Sequence, residues 1–475
     1  MLRKPILFFI SLLFLFNILS CKEPEQNTAT PSPDTPTQEE PTPKPEEPTP
    51  TPDPEPSTPS SFFGLTDYDN KHTDGTYNES DFLRNGTVYT YTAKDISGDE
   101  LQQKAKALKT GDTIIFDGSE GIFYFSATAK FTTSGITLKG INNAILDFKE
   151  LHYKGLNCNY TQEYIDAAIE KVKAGESAGG SRYLSEYDSE LNKHLNRGYG
   201  IRIQGDHILI EDLTIQNASS NGILFYTGGD YNVLKNVETR YCGDSGIQLT
   251  GQWIDPIDCP EEHATNGPHN NKFFNCYSHD NFDPWNLGEN ADGFAIKGAG
   301  DYNYFEDCIA EYNSDDGWDC FRIRGSSTLV NCKANYNGIR SPAFASEPEQ
   351  IWGKHSNGNG FKLGGGSTSA EFNGQIVNSA SIHRHPQYLK DCTAIGNRGN
   401  SGVGFDRNNQ YGSIYLVDCF ASDNKANILG SNGKFRHTDF EFGDYGNICY
   451  VLRCFVGNES DKVHGKYEGD KIVVQ

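Results

Sequence analysis

Positive charge is what this chain has least of. Across 475 residues, 41 Lys and Arg stand against 64 Asp and Glu, a formal net charge of −23. Such a surface gains nothing from counterion release, which argues against nucleic acid as a partner. Methionine is absent after Met1. Apolar side chains are nearly absent from one whole segment. Residues 22–60 are almost wholly Pro, Thr, Ser, Glu and Asp and hold 13 of the 21 prolines. A segment of that composition cannot bury enough surface to offset its ordering entropy, and it reads as an extended acidic spacer. Nine acids against Lys22 and Lys44 give it −7 of the −23, so the remainder is acidic as well. A polyanionic partner stays compatible with that charge where a bound cation reverses the local field.

The N-terminus is an address rather than part of a fold. Arg3 and Lys4 precede a short apolar run, Pro5–Leu19, that ends at Ser20 and Cys21. This is the pattern of an export signal, too short for a convincing spanning helix. Its end resembles a bacterial lipobox, which implies a lipid on Cys21 as the mature N-terminus; plain secretion is the alternative. The expected organisation is a signal over 1–20, a linker over 21–60 and one domain over 61–475. The expected location is the bacterial cell envelope, lipid-anchored at the outer membrane or cell surface, or outside the cell. The membrane is met only through the lipid.

The domain repeats itself. Six segments share a frame of Asn, Asp or Arg before cysteine and a small residue two positions after it, at Cys276, Cys308, Cys332, Cys392, Cys419 and Cys454. In five of them an asparagine follows cysteine by five residues: Asn281, Asn313, Asn337, Asn397 and Asn424. Cys308 to Cys332 is 24 residues, as is Gly222 to Gly246. A unit of that size holds about three short strands with turns, one coil of a parallel β-helix. The cysteines read as small inward hydrophobes and the asparagines as a turn ladder in left-handed geometry, so disulfides along the column are not expected. Helices are expected at Glu100–Leu108, capping the open N-terminal edge, and at Thr161–Ala174. Loop excursions are expected around 250–270 and 339–356. The predicted fold class is all-β, a capped parallel β-helix, and a monomer.

One stretch of the repeat carries chemistry. Asn290-Ala291-Asp292-Gly293-Phe294-Ala295 returns as Ser314-Asp315-Asp316-Gly317-Trp318-Asp319 and again as Gly358-Asn359-Gly360-Phe361-Lys362. Aligning the glycines puts Asp292, Asp316 and Asn359 in one column and Ala295, Asp319 and Lys362 in another. A lone pair such as Asp74-Gly75 is ordinary turn chemistry. Asp292, Asp315, Asp316 and Asp319 on consecutive coils are different, because four converging carboxylates repel strongly without a cation. Calcium, a hard cation that takes several oxygens at once, fits them. Lys362 sits one coil above Asp319 among glycines that keep the surface low enough for a polymer, and a nearby divalent cation disfavours its protonated form. Lys297 reads as a substrate-carboxylate contact. Arg322, Arg324, Lys354, Arg384 and Arg407 are further contact candidates.

Taken together, residues 291–297, 313–319, 358–365 and 404–409 resemble polysaccharide lyase family 9, over about residues 85–460. That resemblance implies a right-handed parallel β-helix with an asparagine ladder. It also implies calcium held by Asp292, Asp315, Asp316 and Asp319, with Lys362 as a Brønsted base. Arg407 and Gln410 depart from the family pattern in the last motif, a departure attributed to subsite tuning. The expected reaction is β-elimination in α-1,4-linked galacturonate polymers of the plant cell wall. Rhamnogalacturonan or another uronate polymer is an alternative substrate. Two other readings stay open: a hydrolase using two aspartates as acid and base, and a surface glycan-binding β-helix without activity.

Overall fold

Three parallel sheets wind along the chain, and a computed structural model describes them over most of the domain. The described residues are 75–82, 84–149, 198–226, 228–251, 267–283, 288–323, 325–344, 356–365, 370–372, 375–377, 385–408, 412–429, 435–443, 447–457 and 463–474. All belong to the unit Pro59–Gln475. The expected lipidation site Cys21, the spacer and the helix expected over Thr161–Ala174 lie outside them.

Each coil contributes one short strand to each sheet. The first sheet runs from Val88–Thr92 through Thr113–Asp117 and Asn303–Glu306 to Tyr467–Gly469. The second runs from Phe123–Tyr124 through Ile309–Glu311 to Val473–Val474. The third, which carries the candidate site, includes Ile247–Thr250, Phe294–Lys297, Trp318–Asp319, Phe361–Lys362 and Val403–Asp406. The coil period is visible in the pairing: Ile223 sits beside Ile247, and Phe294 beside Trp318. Val233 pairs with Lys272, 39 residues on; residues 252–266 and 345–355, which hold most of the two expected loop excursions, lie outside the described residues.

The expected helix is present at Glu100–Ala107, with Leu101 and Ala105 buried, in contact with the strand Ala129–Phe131 at the edge of the third sheet. Val88–Thr92 pairs in parallel with Thr113–Asp117 and forms the N-terminal edge strand of the first sheet.

Side chains on a strand alternate between faces, and here alternation separates core from chemistry. Phe294, Trp318, Phe361, Phe405 and Phe440 stack inward with centroid separations of 4.6, 4.9, 4.9 and 5.0 Å. The next residue on each of the first three strands faces outward. The glycine before each of the first four aromatics is required by space. A Cβ on Gly317 would meet the Gly360 carbonyl oxygen at 2.6 Å and the Ala334 Cβ at 2.8 Å.

The asparagine ladder is continuous and fully buried. Asn281, Asn313, Asn337 and Asn397 each donate Nδ2 to the next amide oxygen, at 2.8, 2.9, 3.0 and 2.8 Å, the last accepted by Asn424. Its geometry differs from expectation in one respect. The ladder asparagines are not themselves left-handed. The residue before each takes that conformation, as at Asp280 (φ 53°) and Tyr312 (φ 52°). A second ladder, Asn232–Asn271–Asn303, linked at 3.1 and 3.2 Å, escaped the sequence reading because no cysteine marks its frame. The residue before each repeat cysteine is also left-handed, from Asn331 at 49° to Asp307 and Asp391 at 55°. Asn and Asp tolerate that region best, which accounts for their recurrence there. The nine described cysteines are buried free thiols.

Candidate metal and catalytic site

The two columns read from the glycine alignment exist in the sheet. Ala295 pairs with Asp319, and Asp319 with Lys362, on adjacent parallel strands. Asp292 and Asp316 lie in the turn just before those strands. There each uses one carboxylate oxygen to tie the coils together. Asp292 Oδ1 accepts the Asp316 amide at 3.1 Å, Asp316 Oδ1 accepts the Asn359 amide at 2.6 Å, and Asn359 Oδ1 accepts the Val403 amide at 2.9 Å. The second oxygen of each aspartate faces the site.

Two lysines fill the space between the acids. Lys297 Nζ stands 2.9 Å from Asp292 Oδ2 and 3.1 Å from Asp319 Oδ2. Lys362 Nζ stands 3.1 Å from Asp316 Oδ2 and 3.3 Å from Asp319 Oδ1. Asp292 and Asp316 are 0% exposed and Lys362 is 6% exposed. Asp315 is set apart from the other three. Its oxygens accept the amides of Asn290 (3.1 Å) and Asn357 (2.7 Å), so it anchors the flanking backbone.

The electrostatics follow from this crowding. Burial pushes the Asp292 carboxyl up to about 8 against the pull of Lys297, and Asp319 and Asp315 push the same way. Burial likewise holds Asp316 well above the carboxylate range, reinforced by Asp315 and opposed by Lys362. Asp319 goes the other way: burial raises it, but Lys362 and Lys297 outweigh burial and leave it lowered. For both lysines burial favours the neutral amine, and the surrounding carboxylates reverse that and hold each ammonium well above its ordinary range.

A family profile described as "Pel9A-like, right handed beta helix region" matches residues 84–438. The chain belongs to that family. Pectate lyase L of Paenibacillus polymyxa (strain SC2) is 30% identical over 328 residues, which cover 67% of this chain and 63% of that protein. Pectate lyase L of Thermoclostridium stercorarium is 28% identical, over 57% of this chain and 21% of the relative. The chain thus spans less than two thirds of the length of these relatives. Among solved structures, pectate lyase Pel9A superposes with a TM-score of 0.50 at 20% identity, covering 81% of this chain and 80% of its own. A rhamnogalacturonan lyase superposes with a TM-score of 0.50 at 17% identity, covering 82% and 90%. These two share the fold.

Within this Pel9A-like helix, the residues fit a hard divalent cation. One oxygen from each of Asp292, Asp316 and Asp319 lies within 4.8 Å of the others. Asp316 Oδ2 is enclosed and accepts no well-directed hydrogen bond, although Lys362 Nζ is near. With all four acids ionised, Asp315 included, four carboxylates against two ammonium groups leave two net negative charges, which one divalent cation balances. All the donors are carboxylate oxygens, the chemistry that calcium prefers.

The expected contact residues separate. Lys297 lies inside the acid cluster, 8% exposed, rather than out on the polymer-facing surface. Arg407 is 2% exposed, and its guanidinium donates to the backbone carbonyls of Phe442 (3.1 Å) and Asn447 (2.7 Å). Its geometry is that of a strut inside the last coils, not of a surface contact tuned to a polymer. Arg322 is exposed beside the site, 5.3 Å from the Phe321 ring centroid. Arg324, Lys354 and Arg384 lie outside the described residues. Ser245 was missed. Its hydroxyl donates to Asp292 Oδ2 at 3.0 Å, one coil below. The signal was in the sequence, since Asp244-Ser245-Gly246-Ile247 repeats the frame of Ala291-Asp292-Gly293-Phe294.

Proposed function

We propose that this chain is a calcium-dependent polysaccharide lyase of the pectate lyase type, acting on α-1,4-linked galacturonate polymers by β-elimination. One observation carries the reading. A lysine amine lies 3.1 and 3.3 Å from two buried carboxylates on the outer face of a parallel sheet, beside a third acid that shares their cation-sized space. The pectate lyase names of the relatives point the same way.

Asp292, Asp316 and Asp319 would hold the calcium, with Asp315 adding its charge and fixing Asn290 and Asn357. Bound there, calcium neutralises a substrate carboxylate and so makes the adjacent C5 proton more acidic. Lys362 takes that proton on Nζ. The C5–H electron pair becomes the C4–C5 double bond, the C4–O4 bond breaks, and O4 leaves with its pair and takes a proton from solvent water. Lys362 needs to be neutral at that moment. In the metal-free cluster the carboxylates keep it protonated, so the base becomes available only when their charge is balanced otherwise. Lys297 bridges Asp292 and Asp319 and offsets their repulsion. Gly358 and Gly360, expected to keep the surface low, are instead buried against the next coil, where a Cβ would meet the Arg398 carbonyl oxygen at 1.7 Å and the Gly404 carbonyl oxygen at 2.7 Å. The leader, a lipid on Cys21 and the acidic spacer belong to this proposal as the means of holding a monomeric enzyme away from an envelope surface.

The test is ultraviolet absorbance of polygalacturonate incubated with the protein, first with calcium and then with chelator. A calcium-dependent rise that is lost in Lys362→Ala supports the reading. A rise on rhamnogalacturonan alone keeps the mechanism and moves the substrate. New reducing ends without absorbance would indicate hydrolysis. Polymer retention without cleavage would leave a binding module.

A further inference from the structure

The outer face of the third sheet extends well beyond the acid cluster. The column that holds Asp319 and Lys362 continues through Asp406 to Glu441 on its C-terminal side. On its N-terminal side it passes Ala295, Gln248 and Leu224 and reaches Arg202, then Lys130. Acids follow the site and cations precede it.

Arg202 differs from four other buried or half-buried cations of this acidic protein. Lys297, Lys362, Arg240 and Arg398 each pair with a carboxylate. Arg202 has none among the described residues. Its guanidinium lies over the Tyr226 ring, 4.3 Å from the centroid. Its Nε is enclosed without a hydrogen-bond partner, and so is Oε1 of Gln204, which faces the same side two residues on. A guanidinium held over an aromatic ring keeps its charge and has its donor fork oriented in advance, which suits a carboxylate.

We propose that Arg202, seated on Tyr226, is a remote subsite that binds a uronate carboxylate of the polymer on the N-terminal side of the elimination site. This rests on the lyase reading above. Four strand steps separate Arg202 from Asp319, about 19 Å at the usual spacing of strands in a sheet. A short oligomer engaged at Lys362 does not reach that far; a polymer lying along the sheet does. The charge gradient also favours seating more of a polyanion on the N-terminal side than beside Asp406 and Glu441.

The experiment compares the wild type with Arg202→Ala and Arg202→Lys on size-fractionated oligogalacturonates and on long polygalacturonate, in calcium. Arg202→Ala is expected to raise KM for the long polymer about tenfold or more, as loss of a charged hydrogen-bonding contact does. With kcat unchanged, the effect should vanish as the chain shortens, and Arg202→Lys should recover part of it. An equal loss at every length, or none at any, overturns the subsite. Retention on immobilised polygalacturonate is measured in parallel for Lys362→Ala with and without Arg202→Ala. Weaker retention of the double variant supports the subsite even if the wild type eliminates nothing, a result that would sink only the lyase reading. Equal retention overturns the subsite whatever the activity.

Discussion

Asp319 and Lys362 are in-register neighbours on adjacent parallel strands, and their side chains meet with Lys362 Nζ 3.3 Å from Asp319 Oδ1. They are 43 residues apart in sequence. Stacking of coils, not proximity along the chain, brings the proposed base onto the proposed ligand.

Replacing Lys362 by Ala should therefore separate chemistry from cation binding. Elimination is expected to fall by at least about a hundredfold, the usual contribution of a positioned base. Calcium should still raise the melting temperature, since Asp292, Asp316 and Asp319 remain. Thermal melts with and without calcium, beside the absorbance assay, check both halves.

Asp316→Asn should do the reverse at the metal. A ligand stabilises a protein by binding the folded form, so losing a coordinating charge should shrink the calcium-induced rise in melting temperature. The amide oxygen of the substituted side chain can still accept the Asn359 backbone amide, so the metal-free fold should persist. A full calcium response in this variant would remove Asp316 from the site.

The metal-free protein should lose stability as pH rises from about 5 toward 8 and beyond. The Asp292 carboxyl is pushed up to about 8 by burial, whereas in the unfolded chain it ionises near the ordinary carboxylate value of about 3.9. Between those values the folded state holds more protons than the unfolded state, so stability is greatest on the acid side and declines upward. Asp316, also raised, adds to the same slope. His279 works in the same direction. Burial pulls its pKa down, but Asp280 and Glu238 outweigh that and leave it raised. A calcium comparison isolates the acid cluster: melts in chelator should slope downward with pH, and calcium should flatten the slope. Parallel slopes with and without calcium would contradict the assignment.

Asn313→Ala should destabilise the solenoid without touching the site. It removes the amide oxygen that accepts the buried Asn281 backbone N–H at 3.3 Å and orphans that donor, while Asn281 Nδ2 and Asn337 Oδ1 each lose one of two partners. The orphaned donor costs about 1–3 kcal/mol. Urea midpoints measured with saturating calcium check it, with a shift toward lower urea expected.

The repeat made much of this legible in advance. The Cys-to-Asn spacing identified the coil, and the glycine alignment placed Asp292, Asp316, Asp319 and Lys362 in their observed columns. Periodicity works here because a parallel solenoid converts equal spacing into vertical neighbours. It is silent on position within a coil. Lys297 reads from the sequence as a substrate-carboxylate contact, and the strand turns it into the acid cluster. Arg407 was read the same way, but the last coils enclose it against backbone carbonyls. Asp315 was grouped with its neighbours, yet the next coil's Asn357 amide draws its carboxylate aside. The Asn232–Asn271–Asn303 ladder lacked a flanking marker.

What the amino-acid order determined by itself is the winding: Gly before an aromatic, then an outward residue, with an asparagine repeated on five successive coils. Those are local steric and hydrogen-bonding demands, and they hold wherever the motif recurs. Which charges share a site was decided only in three dimensions. Burial and the spacing between coils set the separation of Lys362, Lys297 and the aspartates. Separation and desolvation, not composition, set how those charges act on one another.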